Sequence, residues 1–421
     1  MIKILPQSIY STMFCSKKQP MIQKQTSAVD SVSLNNITKS PDYIPSKMLL
    51  SLLKSTLNGE KADASLFQGR SYEDWVRMYN LGYDNAVTPL LLDGLKNTPE
   101  IKVPDDVLKN MKLTEDFAKH YHMRQEKLLG EIIDLSSPKD IDVVPIKGIG
   151  FSLNYPDPQK RFGGDIDVFT FRHGTDCSMT ENNMTYAFDE IFAGKGVEID
   201  THHPKHSEFK YKGMPIENHR HFVDVDNSIV KVPMAKQVDK YLMRVFNPAE
   251  KVLPMGTKVL VPSKEFNNVF LAFHSMTHFL FGGINFHHLA DWAVHIQKNS
   301  LVIPDELKGT AIEKFMNAMT NLSNKYLGTN IKAPENKKLE DAIFNKMFDP
   351  MGEYTVNKIQ KPASKNPLKV VKYKYDVIKS EELSKIELLG PEAGSVKGAI
   401  FKSLKRHILN PKTFLYAIRI V

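Results

Sequence analysis

The spacing of apolar residues changes near residue 141, and this change limits the folds open to the chain. Residues 43–140 repeat apolar residues at helical spacing, as in SKMLLSLLKSTLNG, which ends at the helix-terminating pair Asn58-Gly59. From residue 141, the runs IDVVPIKG and DIDVFTF are instead rich in β-branched and aromatic residues, with glycine and proline between them. The pattern is helical again from about residue 235. We therefore expect an α+β fold with a small mixed β-sheet between N- and C-terminal helical regions.

Two stretches give more detailed expectations within this scheme. The segment PDDVLKNMKLTEDFAKHYHMRQEKLLGEIIDLSS predicts a longer pair of helices before the first strand. After the second strand, HSEFKYKGMPIENHRHFV predicts a hairpin whose two strands turn at Lys212-Gly213.

Pattern and composition divide the 421 residues into five segments. Length alone would suggest about two to three domains. In chain order we expect a flexible leader at 1–42, rich in Ser, Gln, Asn and Lys; a helical region at 43–140; an α/β core at 141–230; a helical region at 231–330; and a basic C-terminal region at 331–421.

The composition excludes several classes of protein. With two cysteines, Cys15 and Cys177, the chain can build neither a disulfide framework nor a cysteine-based zinc site. No apolar run approaches the roughly 18–20 residues of a membrane span, and the N-terminus makes a poor signal peptide. We expect a cytoplasmic protein with no integral membrane segment. The net charge of +8 is compatible with an anionic substrate, a nucleic acid or simple solubility.

Asp165 and Asp167 stand one residue apart at an apolar strand, directly after a pair of glycines. Alternate residues of a strand point to one side, so the two carboxylates should lie close together and repel each other. A divalent cation offsets such repulsion, and two-metal sites use paired carboxylates to hold a transferring phosphoryl group. The alternative is a pair of solvated aspartates at a strand edge, although aspartate is disfavoured in strands.

A third acid would complete a metal site, and the predicted hairpin offers one. Glu217 lies in the middle of its second strand, between Ile216 and His219. Other acids lie shortly before or after the hairpin, and spacing alone does not choose among them: Glu198, Asp200, Asp224 and Asp226.

The segment IKG…YPDPQKRFGGDIDVF resembles the core motif of the family described as uncharacterised nucleotidyltransferases, within the polymerase-β-like nucleotidyltransferase superfamily. The matching residues are Ile146-Lys147-Gly148, Tyr155-Pro156-Asp157-Pro158, Arg161 and Gly164-Asp165-Ile166-Asp167. Later matches are Ile216-Glu217-Asn218-His219, the pair His274 and His278, and Asp291-Trp292-Ala293. The order of motifs and the helical flanks fit over roughly residues 47–300.

The resemblance implies a nucleotidyltransferase core that transfers a nucleoside monophosphate from a nucleoside triphosphate to a hydroxyl acceptor. Asp165 and Asp167 would hold Mg²⁺ (or Mn²⁺) on the phosphates, and Glu217 would complete the site and help activate the hydroxyl. The acceptor could be a small molecule, a protein or an RNA end. By the same resemblance, Lys147 and Arg161 would bind phosphate, Gly148 and Gly164 would permit close backbone approach, and His219, His274, His278 and Asp291 would line the cleft.

Two alternatives remain open from the sequence. The same fold could serve as a catalytically silent module that binds a nucleotide or a partner. A metal-dependent hydrolase could instead be centred on His274, His278 and Asp291, because histidines four apart share a helix face as in zinc sites. His287 or His288 could also supply the third ligand, although Ser275 stands where a zinc protease motif has glutamate.

Overall fold

The computed structural model describes residues 42–177, 180–225, 230–281, 283–348 and 367–409. All of the expected leader except Asp42 lies outside the described residues, as do Asp226 and residues 349–366 and 410–421 of the basic C-terminal region. Among the residues described, no helix is long and apolar enough to cross a membrane.

Helices fill the described N-terminal region, as the spacing of apolar residues predicts. They are α1 (Tyr43–Asn58), α2 (Tyr72–Asp84), α3 (Thr88–Lys96) and α4 (Asp105–Ser136). Helix α1 ends at Gly59, whose left-handed φ of 67° closes the helix as the Asn-Gly pair predicts. The expected pair of helices at the end of this region is wrong: α4 is one helix of 32 residues. No proline interrupts it, and Gly130 lies inside it against the side chain of Thr257.

The central sheet has four strands and is mixed, as predicted. Its strands are β1 (Ile141–Pro145), β2 (Ile166–Arg172), β3 (His206–Tyr211) and β4 (Met214–His219), in the order β1-β2-β4-β3. Strand β2 pairs antiparallel with β1 and parallel with β4, so that Asp167 lies opposite Glu217. The β3–β4 hairpin is confirmed, and Lys212 and Gly213 take φ values of 49° and 77° at its turn.

Both faces of the sheet are covered, which explains the continuous apolar run of β2. Short helix α5 (Ile149–Ser152) follows β1, and α6 (Thr185–Ala193) connects β2 to the hairpin. One apolar cluster includes Val168, Phe192 and Phe209, with the last two rings 4.9 Å apart. The opposite face carries Phe169, which belongs to the larger cluster formed with the helical regions. Asp167 shares this second face, because it lies two residues before Phe169.

The described part of the chain after the sheet is mostly helical. Its helices are α7 (Val232–Val245), α8 (Lys264–Phe281), α9 (Phe286–Asn299), α10 (Ala311–Leu327), α11 (Lys337–Phe348), α12 (Pro367–Leu389) and α13 (Val396–Leu409). The helical prediction is wrong for one piece, where β5 (Ala249–Val252) and β6 (Lys258–Val261) form a two-stranded ribbon. Gly256, with a φ of 95°, allows its turn. Glu126 of α4 anchors that turn by accepting hydrogen bonds from the backbone N–H groups of Met255 and Thr257.

Candidate active site

The parallel pairing of β2 and β4 brings three carboxylates together. Asp165 immediately precedes β2, Asp167 is its second residue, and Glu217 stands opposite Asp167 on β4. One oxygen from each lies within 4.8 Å of the others. Gln125 of α4 fixes the approach to the strand by donating to the backbone carbonyl of Asp165 at 2.9 Å. The three acids named from the sequence therefore share one site, at a separation that allows shared cation binding.

Lys147 provides the positive charge of this site. Its Nζ lies 2.9 Å from Oδ1 of Asp167 and 3.9 Å from Oδ2 of Asp165. Burial by itself would lower the pKa of Lys147, but the charges of Asp167 and Asp165 outweigh it and raise that pKa. Lys147 is thus a permanent cation at the carboxylates.

Gly148 directs Lys147 toward the carboxylates through an unusual backbone turn. Its φ of 57° and ψ of −117° favour glycine, as the motif predicts. A Cβ on Gly148 would stand 3.6 Å from the carbonyl oxygen of Asp165, and one on Gly163 would stand 3.6 Å from the Cα of Gly148. The two backbone segments therefore pass close to each other. Gly164, predicted to permit such an approach, is buried and its carbonyl accepts a hydrogen bond from the Tyr121 hydroxyl at 2.7 Å.

Two histidines of the hairpin complete the surroundings of the acids. Nε2 of His219 lies 3.0 Å from Oδ1 of Asp167 and 3.5 Å from Oε2 of Glu217, and its side chain is fully buried. Nδ1 of His206 lies 3.6 Å from the same oxygen of Glu217. His219 is expected from the sequence and His206 is not, although a hairpin that turns at Lys212-Gly213 pairs the two residues. His206, Glu217 and His219 form a second group with ligand atoms within 4.8 Å of one another.

The electrostatic environment shifts the pKa values of Asp165 and Glu217 in opposite directions. Burial, followed by the negative charge of Asp167, raises the pKa of Asp165 to about 7, with Lys147 opposing the shift. For Glu217, burial acts to raise the pKa, but the hydrogen bond from His219 and the charge of Lys147 hold it below its usual range. Oδ2 of Asp167 is buried and has no hydrogen-bond partner among the described residues. A buried oxygen of this kind, beside two further carboxylates, fits the oxygen ligands of a hard divalent cation.

Arg161 lies close to the acids but pairs with another residue. Its Nε and Nη2 donate to the two oxygens of Asp291 at 3.1 and 2.7 Å, and the Tyr155 hydroxyl donates to Oδ1 at 2.7 Å. Burial would raise the pKa of Asp291, and the Arg161 charge and hydrogen bond lower it instead. The residues Arg161 and Asp291, predicted separately as a phosphate ligand and a cleft residue, form one buried ion pair.

Lys160 has a structural role that was not expected from the sequence. Its Nζ lies 2.5 Å from Oδ1 of Asp93 on α3 and 2.7 Å from Oε1 of Glu115 on α4, and the residue is 3% exposed. The basic pair Lys160-Arg161 was visible in the motif, but the acids that face Lys160 come from distant helices. The loop before the aspartates is therefore held by three ion pairs, two from Lys160 and one from Arg161.

A cluster of histidines lies beside the carboxylates. His274 and His278 share one face of α8, as their spacing predicts, with ring centroids 4.5 Å apart. His288 of α9 joins them, and the three rings each offer a ligand nitrogen within 4.8 Å of the others. Asp291 does not belong to this group, so a metal site built on His274, His278 and Asp291 is not what the structure forms. Lys147 lowers the pKa of both His274 and His278 beyond the effect of burial, which places the cluster next to the carboxylates.

The remaining acids considered for the third carboxylate lie elsewhere. Glu198 and Asp200 are exposed, and Asp200 accepts a hydrogen bond from His202. Asp224 lies 3.7 Å from Nε2 of His203. Glu217 is therefore the acid that the described sheet places with Asp165 and Asp167.

Comparison with known proteins identifies the family. The family described as uncharacterised nucleotidyltransferase matches residues 71–326, which span helices α2–α4, the sheet and the helices that carry the histidines. The chain belongs to this family. No curated protein and no solved structure matches the chain.

Proposed function

We propose that the chain is a Mg²⁺-dependent nucleotidyltransferase that moves a nucleoside monophosphate from a nucleoside triphosphate to a hydroxyl acceptor. The observation that carries the proposal is the convergence of Asp165, Asp167 and Glu217 within 4.8 Å, with a buried, unpartnered oxygen on Asp167. Membership of a nucleotidyltransferase family supports it.

The three carboxylates would hold Mg²⁺ or Mn²⁺. When bound, such an ion neutralises phosphate charge and polarises the phosphoryl group that is transferred. The attacking hydroxyl oxygen forms a bond to the α-phosphorus and loses its proton to solvent, the bond from the α-phosphorus to the oxygen bridging to the β-phosphate breaks, and pyrophosphate leaves with that oxygen. Glu217 is ionised at neutral pH, so it can accept the hydrogen bond of the incoming hydroxyl and orient it for attack.

Lys147 is the residue best placed to bind the phosphates in this proposal. Its ammonium lies at the edge of the carboxylate group, 3.9 Å from Asp165, and its raised pKa keeps it charged. Arg161 would act indirectly, because its guanidinium is committed to Asp291 while its loop leads to Asp165. We therefore assign phosphate contact to Lys147 and a positioning role to Arg161.

The experiment uses the four nucleoside triphosphates, each labelled at the α-phosphate, with Mg²⁺ or Mn²⁺ and a cell extract as the source of acceptor. We expect the wild type to transfer label. In Asp165→Asn/Asp167→Asn the transfer rate should fall at least about 100-fold, because the metal ion that would neutralise the phosphate charge is no longer held. Asp134→Asn, an exposed position on α4, is the matched control and should retain the wild-type rate.

Three other outcomes would contradict the proposal in different ways. Equal labelling by the wild type and the double variant would place the chemistry away from these carboxylates. Metal-dependent nucleotide binding without transfer would instead support a silent binding module. Hydrolysis of the nucleotide that survives the double variant and is lost in His274→Ala would support a histidine-centred metal hydrolase.

A further inference from the structure

The histidine cluster contains buried polar atoms that the carboxylate site does not use. His274 and His278 project from α8, and His288 lies in the first turn of α9, with its ring centroid 5.7 and 4.6 Å from those of His274 and His278. His288 is 4% exposed. Burial, reinforced by the neighbouring histidines, holds the pKa of His288 well below its ordinary value, so the ring is neutral at neutral pH.

The hydrogen bonding of His288 determines whether its Nε2 can bind a metal ion or donate a hydrogen bond to a ligand. The backbone N–H of Asn285 donates to Nδ1 of His288 at 3.2 Å, so a neutral ring carries its proton on Nε2. That Nε2 is buried and has no hydrogen-bond partner among the described residues. A metal-binding histidine instead donates its second ring N–H to a carbonyl or carboxylate, which the N–H of Asn285 does not provide. The free nitrogen of His288 is therefore a donor in need of an oxygen acceptor.

The charge around the cluster also favours an anion. Burial lowers the pKa of His274 and His278, and Lys147 and Lys205 lower it further, by more than Asp167 raises that of His274, so net positive charge lies close to the rings. Lys205 is itself half-buried, and burial together with Lys147 lowers its pKa despite the nearby acids. Among the described residues, no carboxylate forms an ion pair with Lys205. The N-terminal end of the α9 dipole adds a further preference for negative charge.

We propose that His274, His278 and His288, together with Lys205, bind phosphate oxygens, those of the β- and γ-phosphates of the nucleotide. This inference rests on the proposed function and extends it to the position of the leaving group. Lys147 links the two parts of the site, because it contacts Asp167 and its charge also reaches the histidines. Pyrophosphate released from the α-phosphate would then already lie against the histidine rings and Lys205.

The test measures binding of inorganic pyrophosphate, in the presence of Mg²⁺, by isothermal titration calorimetry on the full chain. We expect His288→Phe, which keeps a ring and removes the donor, and Lys205→Met to weaken binding about 10-fold or more. Mn²⁺ binding at the carboxylates, followed by electron paramagnetic resonance, should stay within about twofold of the wild type.

His295→Phe is the matched control for His288→Phe. His295 lies on the same helix, is 1% exposed and also has an Nε2 without a partner among the described residues. Its pKa is lowered by burial alone, so the lysines of the site do not reach it. Pyrophosphate binding should therefore be unchanged in His295→Phe. Lys205→Met, at a half-buried position, keeps the test decisive if His288→Phe does not fold.

Each remaining outcome has a defined meaning. Pyrophosphate affinity within twofold of the wild type in folded Lys205→Met would overturn the proposal, as would stoichiometric zinc in the purified wild type that is lost in His288→Phe. If the variants bind pyrophosphate normally but lose binding of glucose 6-phosphate, the phosphate belongs to the acceptor and our assignment to the nucleotide fails. Pyrophosphate binding that depends on these residues without any label transfer would leave this inference standing and overturn the proposed function.

Discussion

At the scale of single residues, the site places like charges together and uses one lysine to oppose them. Lys147 contacts Asp167 at 2.9 Å and is farther from Asp165, so Asp165 receives less of its compensation. His219 contacts Asp167 as well, at 3.0 Å. Burial and the negative charge of Asp167 raise the pKa of Asp165 to about 7, and Lys147, 3.9 Å away, opposes that rise only in part. An ionised Asp165 is thus a source of instability that a bound cation would relieve.

This imbalance predicts a pH-dependent effect of Asp165→Asn on stability. An ordinary aspartate has a pKa of about 3.9, so the native carboxyl holds its proton more tightly than the unfolded one. The resulting stabilisation is fully present below about pH 4 and is lost as the pH rises through 7. Asparagine undergoes no such change. Relative to the wild type, the free energy of unfolding of the variant should therefore rise by on the order of 1–2 kcal/mol between pH 4 and pH 8. Solvent screening reduces this value, because the Asp165 side chain is 30% exposed.

Urea unfolding with EDTA at several pH values measures this difference. Asp134→Asn, which removes an exposed carboxylate on α4, is the control. A difference for Asp165→Asn that is flat, or that falls as the pH rises, would mean that the carboxyl is not destabilised when ionised.

At the scale of elements, the sequence predicts what depends on neighbouring residues and misses what depends on packing. The β3–β4 hairpin was predictable because Lys212-Gly213 interrupts two alternating runs, and the placement of Glu217 beside the aspartates follows from the sheet. The ribbon at 249–261 was missed because strands of four residues are too short to show a period. The acids that pair with Lys160 come from other helices, which no local pattern reveals. The sequence left His287 and His288 open as partners of His274 and His278, and the packing of α9 against α8 selects His288.

The turn between β1 and α5 gives a prediction at this scale. We expect Gly148→Ala to reduce the free energy of unfolding by about 2–3 kcal/mol, because a side chain is strained at its φ of 57° and ψ of −117°. It should also weaken Mn²⁺ binding, since the same turn packs against the backbone of Asp165. Gly59→Ala is the control: with a φ of 67° and a ψ of 23° it lies in the ordinary left-handed region, where the cost is about 1 kcal/mol. Urea unfolding that ranks Gly59→Ala as the more damaging change would contradict this account.

At the scale of the whole molecule, the loop before the aspartates joins the two helical regions. Lys160 pairs with acids on α3 and α4, while the adjacent Arg161 pairs with Asp291 on α9. These two adjacent side chains thus tie the loop to helices before the sheet and to a helix after it. The position of Asp165, four residues later, depends on both regions, which is consistent with a family match that runs from α2 to α10 and not over the sheet alone.

The Arg161–Asp291 pair predicts strong energetic coupling between the loop and α9. Their side chains are 10% and 7% exposed, so Arg161→Met or Asp291→Leu alone leaves a buried charge without its partner and should cost about 3–5 kcal/mol. The double variant removes both charges, and we expect it to recover about 2–3 kcal/mol of the summed loss in urea unfolding. The exposed pair Arg244–Glu306, with Arg244 59% exposed, is the control cycle and should show coupling of about 1 kcal/mol or less. Losses for Arg161 and Asp291 that simply add would mean that this pair does not tie the loop to the helix.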